Sequence, residues 1–156
     1  MELFHPIFQW ADDSGLGAYI RDRTWPFPLI ETIHIMALAV FLGALFLIDL
    51  RLMGLKMGGI AASRLTRELN RYIDWGIALI LITGVMLFAS EGGKLYENAA
   101  FAPKMIMLGA ALLFHYTIHR RAVANDKPPA WAAFAGLISQ ALWIGVGAAG
   151  RAIGFV

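Results

Sequence analysis

Four long apolar stretches constrain this chain more than any other feature of its sequence. They cover residues 28–48, 72–90, 104–118 and 131–149, and polar segments separate them. Their lengths approach the roughly 20 residues that an α-helix needs to cross a bilayer. Only 15% of the 156 residues are charged, whereas soluble domains have about 25%. The sequence therefore predicts an all-α membrane protein in contact with the lipid bilayer.

Short connections between successive spans make neighbouring helices antiparallel. Residues 26–156 are thus predicted to form an antiparallel four-transmembrane-helix bundle, whose core can hold a cofactor between facing side chains. Residues 1–25 are predicted to be a separate N-terminal amphipathic segment with a short helix in the membrane interface. Trp10, Tyr19 and Trp25 would anchor it there.

The distribution of Lys and Arg predicts how the bundle is oriented. Eight basic residues lie in the two loops that join spans one to two and three to four, against five on the opposite side. The positive-inside rule then places these loops in the cytoplasm and both termini in the periplasm, in a bacterial cytoplasmic (inner) membrane. The eight residues are Arg51, Lys56, Arg64, Arg67, Arg71, Arg120, Arg121 and Lys127.

Spans one and three each carry a histidine, His34 and His115, into what should be hydrocarbon. Ionisable groups at membrane depth are expensive and commonly mark a functional site. At 1.5 Å per residue the two lie roughly 9 Å and 16 Å from the predicted outer surface. A tilted pair of helices would let both imidazoles bind one metal ion from opposite sides.

Other polar residues share faces with these histidines. Glu31 comes one turn before His34, and Lys104 lies about three turns before His115 on the same face. Together with Arg151 they stand at the predicted outer mouth, which suits a haem with its propionates pointing outward. A small and polar stripe on span four adds Gln140 and Gly147. The predicted cofactor-binding residues are therefore His34, His115, Lys104, Arg151, Glu31, Gln140 and Gly147, with His34 and His115 on the iron.

Several simpler interpretations of these polar residues are alternatives to a haem site. A single intramembrane histidine can merely hydrogen-bond a neighbouring helix. His119, beside two arginines, is expected either in the interface or as the ligand of a second, inner haem. Asp49 with Arg51, and Asp74 with Arg71, are expected to form ion pairs at the cytoplasmic side.

Composition also excludes some classes of site. The chain has no cysteine, which rules out disulfides, thiolate metal sites and iron–sulfur clusters. Its net charge is +2, and the basic residues lie in loops, so the sequence does not predict a nucleic-acid partner.

Two motifs resemble known membrane proteins. The pattern in span one resembles that of HemJ-type protoporphyrinogen oxidases and of CopD-type copper-resistance proteins; it consists of Leu29, His34, Gly43, Leu45, Phe46, Asp49 and Arg51. The Lys104 and His115 span is similar to the lysine-bearing third span of the HemJ type. Gly150 and Arg151 are similar to a motif in an uncharacterised family of small four-span bacterial proteins. The resemblance implies that His34 binds haem b and that Lys104 lies near the haem or its substrate.

The leading hypothesis from these observations is a membrane b-type cytochrome, with haem between spans one and three. It would be an electron-transfer protein or redox subunit, an oxidoreductase component linked to quinone or to an outer-side redox partner. An alternative is a HemJ-like protoporphyrinogen oxidase. A third reading is a non-redox transporter or accessory membrane subunit, with His34, His115, Glu31 and Lys104 as a proton or ion relay. Both a homo-oligomer and a larger complex are compatible with the sequence, and no catalytic residue can be named from it.

Overall fold

The computed structural model describes residues 5–55, 62–124 and 129–155. Within these ranges the chain forms helices and no β-strand. A π-helical turn over His115–His119 interrupts the sixth helix. Lys56 and Lys127, which contribute to the predicted orientation, lie outside the described residues. The helices, labelled α1 to α7, are His5–Asp12, Gly15–Arg21, Pro26–Leu52, Ala62–Ser90, Gly92–Glu97, Phe101–Val123 and Ala132–Ala152.

Four of these helices, α3, α4, α6 and α7, are long and apolar enough to cross a membrane. The predicted all-α fold with four span-like helices is therefore confirmed. The largest difference from the predicted bounds is in α4, which begins at residue 62 rather than 72. Its first turns carry Arg64, Arg67 and Arg71, which are exposed. Arginine is a good helix former whose charged end can reach water from an apolar helix, so the basic segment continues the helix instead of forming a loop.

One aromatic side chain fixes the centre of the bundle. Phe41 on α3 is fully buried, and its ring meets Trp143 of α7 edge to face, with centroids 4.6 Å apart. On the opposite side, a Cβ atom added to Gly76 of α4 would lie 2.7 Å from Phe41 Cβ. Phe41 thus holds α3 against both of its neighbours, and small size at residue 76 permits the close approach.

Helix α6 is attached to the rest of the bundle along one side. It packs against α7, whereas α3 packs against α4 and α7. Only 11% of the most apolar window of α6 is buried, compared with 33% in α3 and 39% in α4. Among the described residues, α6 approaches α4 mainly through its last turn, residues 120–123. Much of the face that α6 turns towards α3 and α4 therefore lacks close helix contact.

The bundle has two distinct ends. At the loop end, α3 and α6 finish and α4 and α7 begin; at the terminal end lie α1, α2 and α5. Residues 1–25 were expected to contain one short helix, and the described part of this segment, residues 5–25, contains two, α1 and α2. Phe8 of α1 anchors this end through edge-to-face contacts at 5.2–5.5 Å with three rings. These rings belong to Phe88, Tyr96 and Phe101.

Candidate functional site

The histidine of α3 is held by the neighbouring helix. His34 is half-buried, and its Nδ1 atom lies 2.7 Å from the hydroxyl oxygen of Thr83 on α4. The Thr83 hydroxyl donates its single proton to the carbonyl of Leu79, 2.6 Å away. Thr83 can then only accept from His34, so the ring proton is on Nδ1. The other ring nitrogen, Nε2, carries the lone pair.

Two further residues stand close to His34. A Cβ atom added to Gly84 would lie 3.6 Å from His34 Cε1, so the imidazole edge rests against the α4 backbone. Lys104 of α6 is near enough for its charge to act on His34. It also lies against Gly150 of α7, where an added Cβ would be 3.5 Å from Lys104 Cε. We call His34, Thr83, Gly84 and Lys104 the terminal-end site.

The other predicted residues of this region are less closely involved. Glu31, one turn before His34, is exposed. Arg151 is also exposed, and its guanidinium lies 4.6 Å from the centre of the Phe155 ring. Gly147 is exposed, with open space where a Cβ atom would be. In the described part of the chain, none of these three residues has a hydrogen bond, an ion pair or a ring contact with His34.

A second polar group lies at the loop end. Asp49 of α3 is fully buried. Its Oδ1 atom lies 2.6 Å from Nε2 of His119, and Nε2 of Gln140 on α7 donates to its Oδ2 over 2.7 Å. The rings of His119 and His115 are stacked, with centroids 5.2 Å apart and planes 24° from parallel. Asp49, His115, His119 and Gln140 form what we call the loop-end cluster.

The helices do not bring His34 and His115 close enough to bind one iron, contrary to the prediction from the sequence. α3 and α6 run in the same direction, with His34 near Lys104 and Asp49 bonded to His119. His115 is 11 residues beyond Lys104, roughly 16 Å along the helix at 1.5 Å per residue. Two axial imidazoles must approach one iron within a few ångströms, so His115 is not placed as a partner of His34.

The structure corrects three further expectations at the loop end. His119 is buried rather than interfacial, and we assign neither it nor His115 to an iron. Asp74 pairs with Arg120 of α6 rather than with Arg71. Asp49, expected beside Arg51 at the surface, is in the bundle interior with His119 and Gln140. Gln140, predicted to line the cofactor site beside His34, belongs instead to the loop-end cluster, where it donates to Asp49.

Sequence reasoning missed two residues that the structure makes central, Thr83 and Asp49. Thr83 is an ordinary residue in a span, and nothing in one sequence distinguishes it as the partner of His34. Asp49 could have been recognised from the sequence, because it is an acidic residue that continues the helix of span one. Among the described residues, no group of three or more His, Cys, Asp or Glu side chains is arranged to hold a metal ion.

Comparison with known proteins gives a family but no activity. No curated protein and no solved structure matches the chain. A family model matches residues 7–156, nearly the whole sequence. The chain therefore belongs to a family of unknown function, DUF6644.

Proposed function

We propose that this protein binds haem b beside His34 and serves as a membrane electron-transfer protein or as a redox subunit. The observation that carries the proposal is the hydrogen bond from His34 to Thr83, which orients the imidazole and leaves Nε2 with a free lone pair. Imidazole nitrogen is a common axial ligand of haem iron. Metal-binding histidines usually donate their other ring N–H to a second protein group, as His34 does to Thr83.

Two other features of the terminal-end site fit this cofactor. Lys104 supplies a positive charge near His34, and such a charge suits a carboxylate of the haem periphery. Along this part of α6, few described residues approach α3 or α4 closely, so direct helix packing does not compete with a flat ligand. A bound haem would supply one-electron chemistry. The chain would hold the iron from one side, fix the ligand ring and pair with a propionate.

We also propose an orientation of the protein in the membrane and a class of redox partner. The loop end would face the cytoplasm of a bacterial inner membrane, because the predicted loops carry most of the basic residues. α1 and α2 would then lie in the outer interface, where exposed Trp10, Tyr19 and Trp25 meet lipid headgroups. Electrons would pass between the terminal-end site and quinone or an outer-side redox protein.

Spectroscopy of two histidine variants tests the proposal. The full chain is expressed in haem-replete cells, purified in detergent, and recorded oxidised and reduced, with a pyridine-haem count. We expect a Soret band and sharp α and β bands on reduction. His34→Ala should lose the haem, whereas His115→Ala, which removes a buried histidine of the loop-end cluster, should keep it. A His34→Ala variant with unchanged haem content would overturn the assignment of His34. A wild-type protein without haem would overturn haem binding itself and leave a non-redox transporter or accessory subunit.

One observation favours a second candidate, an oxidase of the HemJ type. Lys104 acts electrostatically on His34, and in the resemblance this lysine lies near the haem or its porphyrinogen substrate. Complementation of a strain that lacks protoporphyrinogen oxidase separates this enzyme from an electron carrier. Growth that depends on Lys104 as well as on His34 would favour the oxidase. Haem-loaded protein that fails to complement would exclude it.

A further inference from the structure

Buried polar atoms without a hydrogen-bond partner are concentrated at the loop end. In the described part of the chain, the side-chain atoms in this condition come from α4, α6 and α7, and each of their residues lies towards the loop end. Buried polar groups are normally paired, and unpaired ones indicate a bound water or ion. The atoms are Thr66 Oγ1, His115 Nδ1 and Nε2, His119 Nδ1, Arg120 Nε and Ser139 Oγ.

Asp49 is the acid of the loop-end cluster, and burial in the bundle interior disfavours its negative charge. Asp49 is fully buried, and its two carboxylate oxygens lie against Nε2 of His119 and Nε2 of Gln140. When Asp49 is ionised and His119 neutral, the ring proton lies on Nε2 and the pair has one negative charge. An isolated charge has a high free-energy cost at membrane depth. Uptake of one proton makes the pair neutral and removes that cost.

We infer that Asp49 and His119 form a reversible binding site for one proton, which bound water delivers from the loop end of the bundle. The entering proton is added at Nδ1 of His119, the ring nitrogen that has no partner among the described residues. His119 becomes an imidazolium against the Asp49 carboxylate, and the net charge of the pair changes from negative to zero. No electron moves, and the site does not depend on haem.

The surroundings of the pair leave this proton uptake to Asp49 and His119. On α6, the neighbouring His115 is stacked on His119 but, among the described residues, has no carboxylate within hydrogen-bond distance of its ring nitrogens, and Arg120 is neutralised by Asp74 of α4. α7 contributes neutral groups at this depth, Gln140 and Ser139. Near the pair, α3 also carries Arg51, which is half-buried two residues further along and has contacts of its own.

Both histidines of the loop-end cluster lie within the π-helical turn. It covers His115–His119, and both residues are only 1% exposed. Residues four apart already share one face of an α-helix, and π-turns are uncommon and often occur at functional sites. Here it presents the two rings in a stack towards the bundle interior.

Nitrogen NMR of the full chain in lipid nanodiscs tests the inference. The four histidines are ¹⁵N-labelled, and His119 is assigned by its disappearance in His119→Gln. During a pH titration we expect Nδ1 of His119 to gain a proton in one reversible step. Asp49→Asn, which keeps the size of the side chain but removes its charge, should move that step to lower pH or abolish it. The control Glu68→Gln, which removes an exposed acid from the first turns of α4 at the same end of the bundle, should leave the step in place.

A second variant keeps the test decisive if Asp49→Asn does not assemble. Gln140→Leu removes one donor from the carboxylate and retains both titrating groups. The carboxylate charge is then less neutralised and attracts the His119 imidazolium more strongly, so the proton step should move to higher pH. The inference is overturned if His119 keeps one protonation state throughout the pH range in which the protein is folded. It is also overturned if Asp49→Asn and Glu68→Gln titrate alike. Neither result bears on haem binding at His34, which is read by absorbance.

Discussion

His119 Nε2 lies 2.6 Å from Asp49 Oδ1 although the two residues are 70 positions apart in the chain. Both side chains are almost fully buried, at 1% and 0% exposure. This contact joins α6 to α3 at the loop end, where α6 otherwise packs against α7. It therefore fixes the register of the third span-like helix against the first, and with it the distance between His34 and His115.

Loss of the Asp49 carboxylate should destabilise the fold strongly. Asp49→Ala leaves the buried His119 and the half-buried Gln140 without their acceptor, and breaking a buried charged pair costs about 3–5 kcal/mol. The control is Asp12→Ala, which removes an ion pair with Arg21 whose side chains are 44% and 42% exposed. Such a surface pair contributes only about 0–1 kcal/mol. Equilibrium unfolding in mixed micelles measures both, and similar losses would contradict the structural role of Asp49.

The hydroxyl of Thr83 should set the affinity for the proposed haem. Thr83→Val keeps the shape of the side chain but removes the acceptor for His34 Nδ1, and loss of a group that orients a ligating histidine typically weakens binding by about 10–100-fold. Thr32→Val is the matched control, because Thr32 is exposed and donates to Pro28 of its own helix. Haem titration of the apoprotein gives both affinities. Equal affinity in the two variants would show that Thr83 does not orient an iron ligand.

Two glycine-to-alanine substitutions should have opposite effects on stability. A Cβ atom at residue 76 would lie 2.7 Å from Phe41 Cβ, so Gly76→Ala must push α3 and α4 apart, at a cost of about 1–3 kcal/mol. Gly43 has no atom within 4 Å of an added Cβ, so Gly43→Ala should gain up to about 1 kcal/mol from helix propensity. Thermal unfolding in detergent compares them. A Gly76→Ala protein as stable as Gly43→Ala would mean that α3 and α4 are not in close contact there.

The proposed orientation can be read by thiol labelling, since the chain has no cysteine of its own. Asp13 at the terminal end and Ala124 at the loop end are both exposed. A membrane-impermeant maleimide applied to intact spheroplasts should label Asp13→Cys and spare Ala124→Cys until the membrane is permeabilised. The reverse pattern would place the termini in the cytoplasm.

The sequence by itself determined the four span-like helices, because the lengths of its apolar runs match what a membrane-crossing helix needs. It also singled out His34, His115, His119 and Gln140 as unusual polar residues in apolar surroundings. Their partners were decided only by the tertiary structure. A span's composition says how deep a residue lies along the helix, but rotation and choice of neighbour depend on long-range packing, such as Phe41 between Gly76 and Trp143. For that reason His34 meets Thr83, and His119 meets Asp49, while His34 and His115 remain apart.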